Sequence, residues 1–193
     1  MQNKTTDGHC LIICNGRKDK MYRAGILTLS DKGARGERED RSAGVIEEIL
    51  KEHGYEVAEY RIIPDDYELI KKELLRMADE SKLDLILTTG GTGLSRRDVT
   101  PEATKAVMTR DVPGIAEAMR EDSLKVTRRA MLSRAASVVR NETLIINLPG
   151  SPKAVRENLM SIISELKHGL DILTGRDGEC AQPDGGAHGH GHH

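Results

Sequence analysis

The sequence predicts an α/β fold of three layers, in which a mostly parallel β-sheet with an antiparallel edge strand lies between two layers of helices. Three observations carry this reading. Short aliphatic runs alternate with stretches of helical periodicity from Tyr22 to Thr174, the pattern of βαβ crossovers. The 193 residues include four Tyr and neither Phe nor Trp, so the core is built from Leu, Ile, Val, Ala and Met, which suits strands buried under helices. Two strand-like runs, Ser137–Arg140 and Thr143–Leu148, flank the turn pair Asn141 and Glu142, a signal for an antiparallel pair.

Taken in order, Ala24–Ser30 is a short apolar run ending in polar residues, read as a buried strand. Ser42–Glu52 spaces Val45, Ile46, Ile49 and Leu50 along one helical face, and Gly54 stands where a helix stops. Val57–Ile63 is a second strand closed by Pro64, and Tyr67 to Ser81 a charged helix striped by Leu69, Ile70, Leu74, Leu75 and Met77. Leu83–Thr88 is a third strand running directly into a glycine-rich turn. Pro101 opens a further helix, since proline is tolerated in a first turn. Another helical stretch follows Gly114, and Pro149–Pro152 breaks the last strand and starts a final helix from Lys153 to about Leu173.

This organised region, residues 21–175, has the length of one domain. Residues 1–20 form an extension with a single apolar knot at Cys10–Cys14, and residues 176–193 a His-rich tail predicted to be disordered. With 29 Lys+Arg against 31 Asp+Glu the net charge is -2, so no overall field draws the chain to nucleic acid or membranes. Any anion site is therefore local. No apolar run reaches the roughly 18 residues of a membrane span, and the polar start is no signal peptide. The unevenly spaced Cys10, Cys14 and Cys180 make a poor disulfide framework, and a cytoplasmic location is expected.

In open parallel sheets, ligands bind beyond the carboxyl ends of the strands. Four strand ends here carry unusual residues: Ser30 and Asp31, Pro64 and Asp65, Thr89 to Asp98, and Pro149 to Lys153. Gly90, Gly91 and Gly93, with Thr92 between them, supply a turn whose N–H groups can approach an anion closely. The segment is neither a P-loop nor a dinucleotide fingerprint, because no Gly-Lys-Ser/Thr follows and Arg96 occupies the third glycine position. Arg96 and Arg97 can grip phosphate, whereas Asp98 beside them repels it unless a cation intervenes, which suggests magnesium. Asp65 offers a second carboxylate at a neighbouring strand end. Each aspartate also fits an ordinary helix N-cap, Asp65 before Tyr67 and Asp98 before Pro101, and taken singly the cap is the commoner use. Lys153 can meet an anion at the last helix start or be a plain surface lysine. The charged segment Gly33–Arg41 reads as a solvated loop, with a lid over a phosphorylated ligand as its alternative. His53 and His168 lie near helix ends, no Ser or Cys sits in a nucleophile motif, and the tail histidines make at most a peripheral metal site.

Thr28–Asp31, Ile63–Asp65, Thr88–Gly93, Arg96–Pro101, Leu132–Arg134 and Asn147–Pro152 together resemble the molybdopterin adenylyltransferases of the MogA/MoaB family, over about Tyr22 to Thr174. The resemblance implies a trimer that acts in molybdenum cofactor biosynthesis. It implies that the terminal phosphate of molybdopterin attacks the α-phosphorus of Mg-ATP, giving adenylylated molybdopterin and pyrophosphate, with handover to a molybdenum insertase. Asp65 and Asp98 match the family's two essential aspartates. Gly90–Gly93 and Pro149, Gly150 and Ser151 match its ligand loops, with Ser30, Asp31 and Thr100 as further contacts. A homologue of MoaB type that binds molybdopterin without adenylylating it is the main alternative, and a nucleotide pyrophosphatase the second.

Overall fold

The parity of the aliphatic runs sorts the core into two halves. In a strand, successive side chains point to opposite faces. Leu85, Leu87, Leu144 and Ile146 accordingly join one apolar cluster, and Ile86 and Ile145 the other. The computed structural model of the protein describes residues 21–176, so the expectations for residues 1–20 and for the tail from Asp177 lie outside the described residues.

The strands are β1 (Arg23–Leu29), β2 (Glu56–Ile63), β3 (Leu85–Thr89), β4 (Arg110–Asp111), β5 (Ser137–Arg140) and β6 (Thr143–Leu148). The helices are α1 (Asp31–Ala34), α2 (Arg41–Glu52), α3 (Tyr67–Leu75), α4 (Thr100–Ala106), α5 (Pro113–Val126) and α6 (Pro152–Leu173). The sheet order is β2-β1-β3-β6-β5-β4. β2, β1, β3 and β6 run parallel, with Ala24 opposite Leu85 and Leu85 opposite Leu144. One face packs against α2, α5 and α6 through Ile46, Ile49, Met119, Leu159, Ile163 and Leu166. The other packs against α3, the turn after it and α4 through Ile70, Leu74, Met77 and Ala103. The expected three layers are present, and each fully buried Leu or Ile stabilises them by roughly 1.5–3 kcal/mol.

The antiparallel edge differs in detail from the sequence reading. β5 pairs antiparallel with β6 across the Asn141 turn, where φ is 52°, but it is not the outermost strand. The two-residue β4 pairs with β5 and forms the edge. Its exposed Arg110 and Asp111 make a short, charged border, which discourages pairing with another chain. The helix from Tyr67 also changes character: α3 gives way at Arg76–Glu80 to a π-helical turn. Segment Gly33–Arg41 is partly ordered, since Ser30 caps α1, its Oγ accepting from Gly33 N at 3.1 Å.

The parallel strands end on one side of the sheet, where β3 is laced to β6 and β1 to β2. Thr89 Oγ1 donates to Pro149 O at 2.7 Å, Gly90 N to Leu148 O at 3.3 Å, and Ser30 N to Ile63 O at 2.9 Å. Behind them, fully buried Asn147 donates to Thr88 Oγ1 and Thr104 Oγ1, both at 2.9 Å, and accepts from Ala136 N at 3.2 Å. A buried amide with such partners is satisfied and locks β6 against β3 and α4.

Candidate active site

The site begins with the glycine turn that continues β3. Gly90 and Gly91 have φ of 102° and 63°, the region that L side chains rarely adopt. Thr100 N donates to Gly91 O at 3.3 Å and Thr100 Oγ1 to Gly90 O at 3.0 Å, closing the neck of the loop that follows. Thr100 is fully buried. Expected as a ligand contact, it lies beneath the turn, where its hydroxyl satisfies the Gly90 carbonyl.

Asp65 and Asp98 flank this turn. A Cβ built on Gly91 lies 3.2 Å from Asp65 Oδ1, and one built on Gly93 lies 2.9 Å from Asp98 Oδ2. Neither aspartate caps a helix. α3 is capped by Asp66, whose carboxylate accepts from Leu69 N at 3.0 Å. α4 has Val99 at its N-cap and no side-chain cap bond. Asp65 Oδ2 accepts from Asp31 N at 3.1 Å, and Asp98 Oδ2 from Ser95 N at 2.8 Å. The remaining oxygens, Asp65 Oδ1 and Asp98 Oδ1, accept no hydrogen bond among the described residues.

Asp31 completes the acidic side. It returns the bond, its Oδ1 accepting from Asp65 N at 3.2 Å, and its carboxylate takes Arg97 in a bidentate pair with Nη2 at 2.7 Å from Oδ1 and Nε at 3.2 Å from Oδ2. Arg97, expected on phosphate, is thus held by Asp31. Burial pushes the Asp65 carboxyl above the ordinary value, and the charges of Asp31 and Asp98 push the same way. The Arg97 hydrogen bond holds the Asp31 carboxyl below its ordinary value.

The two neighbours therefore act on stability with opposite sign. The Asp65 contribution is fully present below the unfolded pKa and lost as pH rises through the raised folded value. That of Asp31 is present above the unfolded pKa and lost as pH falls through the depressed folded value. Carboxyl-carbon NMR titration is expected to put Asp65 above, and Asp31 below, the reference near 3.9. Indistinguishable midpoints would contradict this electrostatic picture.

Beside the aspartates lies a cavity of about 500 Å³, reached from Ser30, Gly90 and Gly150 and bounded by Thr28, Ile62 and the segment Arg38–Ser42. The sequence reading had Thr28 only within a family motif and Asp40 only within the charged segment Gly33–Arg41, and it did not single out Ser42. Asp40 is the N-cap of α2, accepting from Ser42 N and Ala43 N, and also accepts from the Tyr60 phenol at 2.8 Å. An acidic residue just before a helical stripe was the available signal. Thr28 is buried in a strand, and its Oγ1 has no hydrogen-bond partner among the described residues, the Tyr60 phenol nearby lying outside bonding geometry. Ser42 Oγ donates to Gly150 O at 2.9 Å, joining α2 to the loop after β6.

The other expected contacts divide. Arg96 is exposed and makes no hydrogen bond or ion pair among the described residues. Lys153 is exposed at the start of α6 with Glu157 Oε1 at 3.8 Å. Thr92 is buried within the turn. Pro149 O is taken by Thr89. Ser151 caps α6, its Oγ accepting from Ala154 N at 3.3 Å. Ser151→Ala is expected to cost about 1 kcal/mol in urea unfolding; an unchanged unfolding midpoint would contradict the cap.

A sequence profile for the family described as "Probable molybdopterin binding domain" matches residues 25–168, which span every strand end just described. The chain belongs to this family. The molybdopterin adenylyltransferase of Helicobacter pylori strain J99 is 44% identical over 153 residues, covering 78% of this chain and 87% of that protein. The enzyme of the same name from Escherichia coli K12 is 43% identical over 143 residues, covering 72% and 73%. Among solved structures, the molybdopterin biosynthesis enzyme MoaB of Thermus thermophilus superposes with a TM-score of 0.77 at 53% identity, covering 80% of this chain and 98% of that one. The domain described here therefore works in molybdenum cofactor biosynthesis, and its α/β architecture is that of the MoaB and MogA structures.

Proposed function

We propose that this chain is a molybdopterin adenylyltransferase that uses Mg-ATP. One observation carries the reading: Asp65 and Asp98, both freed from capping duty, bring carboxylate oxygens against the same glycine turn beside a cavity of about 500 Å³. The names of the bacterial relatives supply the substrate class.

The donor set suits magnesium. Asp65 Oδ1 and Asp98 Oδ1 are hard oxygens without partners among the described residues; burial first, and then the charges of Asp31 and Asp98, raise the Asp65 pKa, and a cation offsets all three. No group of three or more His, Cys, Asp or Glu among the described residues is gathered to hold a metal alone, in keeping with an ion that takes one or two carboxylates and fills its shell with substrate oxygens and water. Magnesium bound by Asp65 and Asp98 would neutralise the ATP phosphates and the departing pyrophosphate.

The chain's own groups do the rest. A phosphate oxygen of molybdopterin forms a bond to the α-phosphorus as the bond to the β-phosphate oxygen breaks, so two anionic groups must be held in line. The glycine turn lets main-chain N–H groups approach phosphate without a Cβ in the way. Arg96 and Arg38, both exposed and without partners among the described residues, supply positive charge on the two sides of the site. Arg97, held on Asp31 through Nε and Nη2, keeps Nη1 for phosphate. A cytoplasmic homotrimer with handover to a molybdenum insertase completes the reading. No helix among the described residues is long and apolar enough to cross a membrane, and exposed Val126, Met131 and Leu132 offer apolar surface to another subunit.

The decisive experiment incubates the chain with molybdopterin, ATP and magnesium and detects adenylylated molybdopterin and pyrophosphate together. Tight molybdopterin binding without either product would leave a binding protein.

A further inference from the structure

We propose that Arg134 is a positioning residue for Asp98. The loop between Gly93 and Asp98 carries one of the two aspartates, yet it has no apolar anchor, since Leu94 is 66% exposed. Inside it, Ser95 N donates to Asp98 Oδ2 at 2.8 Å and Asp98 N to Ser95 O at 3.0 Å. These bonds shape the loop, and the exposed Arg97–Asp31 pair ties only its middle to α1, so both ends of the loop still have to be fixed to the domain.

Arg134 fixes them from outside. Its Nε donates to Gly93 O at 2.6 Å, its Nη2 donates to Asp98 O, and its backbone N donates to Thr92 O at 3.0 Å. One planar guanidinium thus bridges the carbonyls at both ends of the loop. Nη1 pairs with Glu102 on α4, which holds the fork in its plane. Because guanidinium donors point in fixed directions, gripping both carbonyls sets the span between them and so the root of the Asp98 side chain. A lysine ammonium is a single point of attachment on a flexible stem and does not reproduce the bridge.

The catalytic meaning rests on the adenylyl-transfer reading, whereas the structural claim does not, and the test separates them. Arg134→Gln and Arg134→Lys are compared with the parent by amide hydrogen exchange and by kinetics. Exchange at Ser95 and Asp98 is expected to accelerate about tenfold to a hundredfold, the range for losing a charge-assisted hydrogen bond, with β3 and β6 unchanged. The magnesium concentration giving half-maximal pyrophosphate release is expected to rise about tenfold while molybdopterin affinity moves less than about twofold. Unchanged loop exchange, acceleration throughout the chain, or equal loss of molybdopterin affinity would each overturn the proposal. A parent chain that makes no pyrophosphate removes the transferase reading alone, and the exchange comparison still decides whether Arg134 holds the loop.

Discussion

Asp65→Ala and Asp98→Ala are each expected to lower pyrophosphate release by at least about 10²–10³-fold, while molybdopterin binding survives. The two carboxylates face the glycine turn and not the cavity lined by Thr28, Ser30 and Ser42, so removing them takes away charge compensation at the reacting phosphates and leaves the cavity walls intact. The loss therefore appears in kcat more than in affinity, as for an interaction made chiefly in the transition state. Unfolding does not explain it away. Asp65 is held above its ordinary pKa by burial and like charge, so its ionised form strains the fold, and its removal frees only Asp31 N from a 3.1 Å bond. Both variants are expected to keep the parent's melting temperature within a few degrees. Turnover within twofold of the parent in either variant would remove that aspartate from the reaction.

Much of the scaffold was legible because burial leaves a period in the sequence. The run Leu85–Thr89 is buried throughout and reads as a central strand, and α6 buries Val155, Leu159, Ile162, Ile163, Leu166 and Leu170 at helical spacing. β4 left no such trace, since two residues carry no period and its exposed side chains carry no hydropathy. The glycine turn and its aspartates were legible as residue types at strand ends, but their partners were not. Asp66 rather than Asp65 caps α3 because the helix starts one residue later than a cap at Asp65 requires, a difference below the precision of a hydropathy pattern. The Asp31–Arg97 pair and the Arg134 clasp join residues 66 and 36 to 41 positions apart. No local rule reports contacts at that separation.

Gly90→Ala is expected to cost about 2–5 kcal/mol, combining a strained positive φ with overpacking, and to lower the melting temperature by roughly 5–20 °C for a domain of this size. The added methyl would press into the Leu29 carbonyl at the end of β1, well inside van der Waals contact. That carbonyl cannot retreat freely, because Thr28 is in register with Thr89 and Ser30 N is bonded to Ile63 O at 2.9 Å. The opposite side is closed too, since a Cβ on Gly150 already lies 3.4 Å from the Gly90 Cα. Two further glycines separate the causes. Gly36 shares the positive φ, 72°, with nothing within 4 Å of an added Cβ, so Gly36→Ala measures backbone strain alone, about 1 kcal/mol. Gly44 lies in open space within α2, and Gly44→Ala is expected to stabilise by up to about 1 kcal/mol. If Gly90→Ala melted no lower than Gly36→Ala, the meeting of β1, β3 and β6 at this glycine would not be the close junction that fixes Ser30 and Asp31 beside the turn.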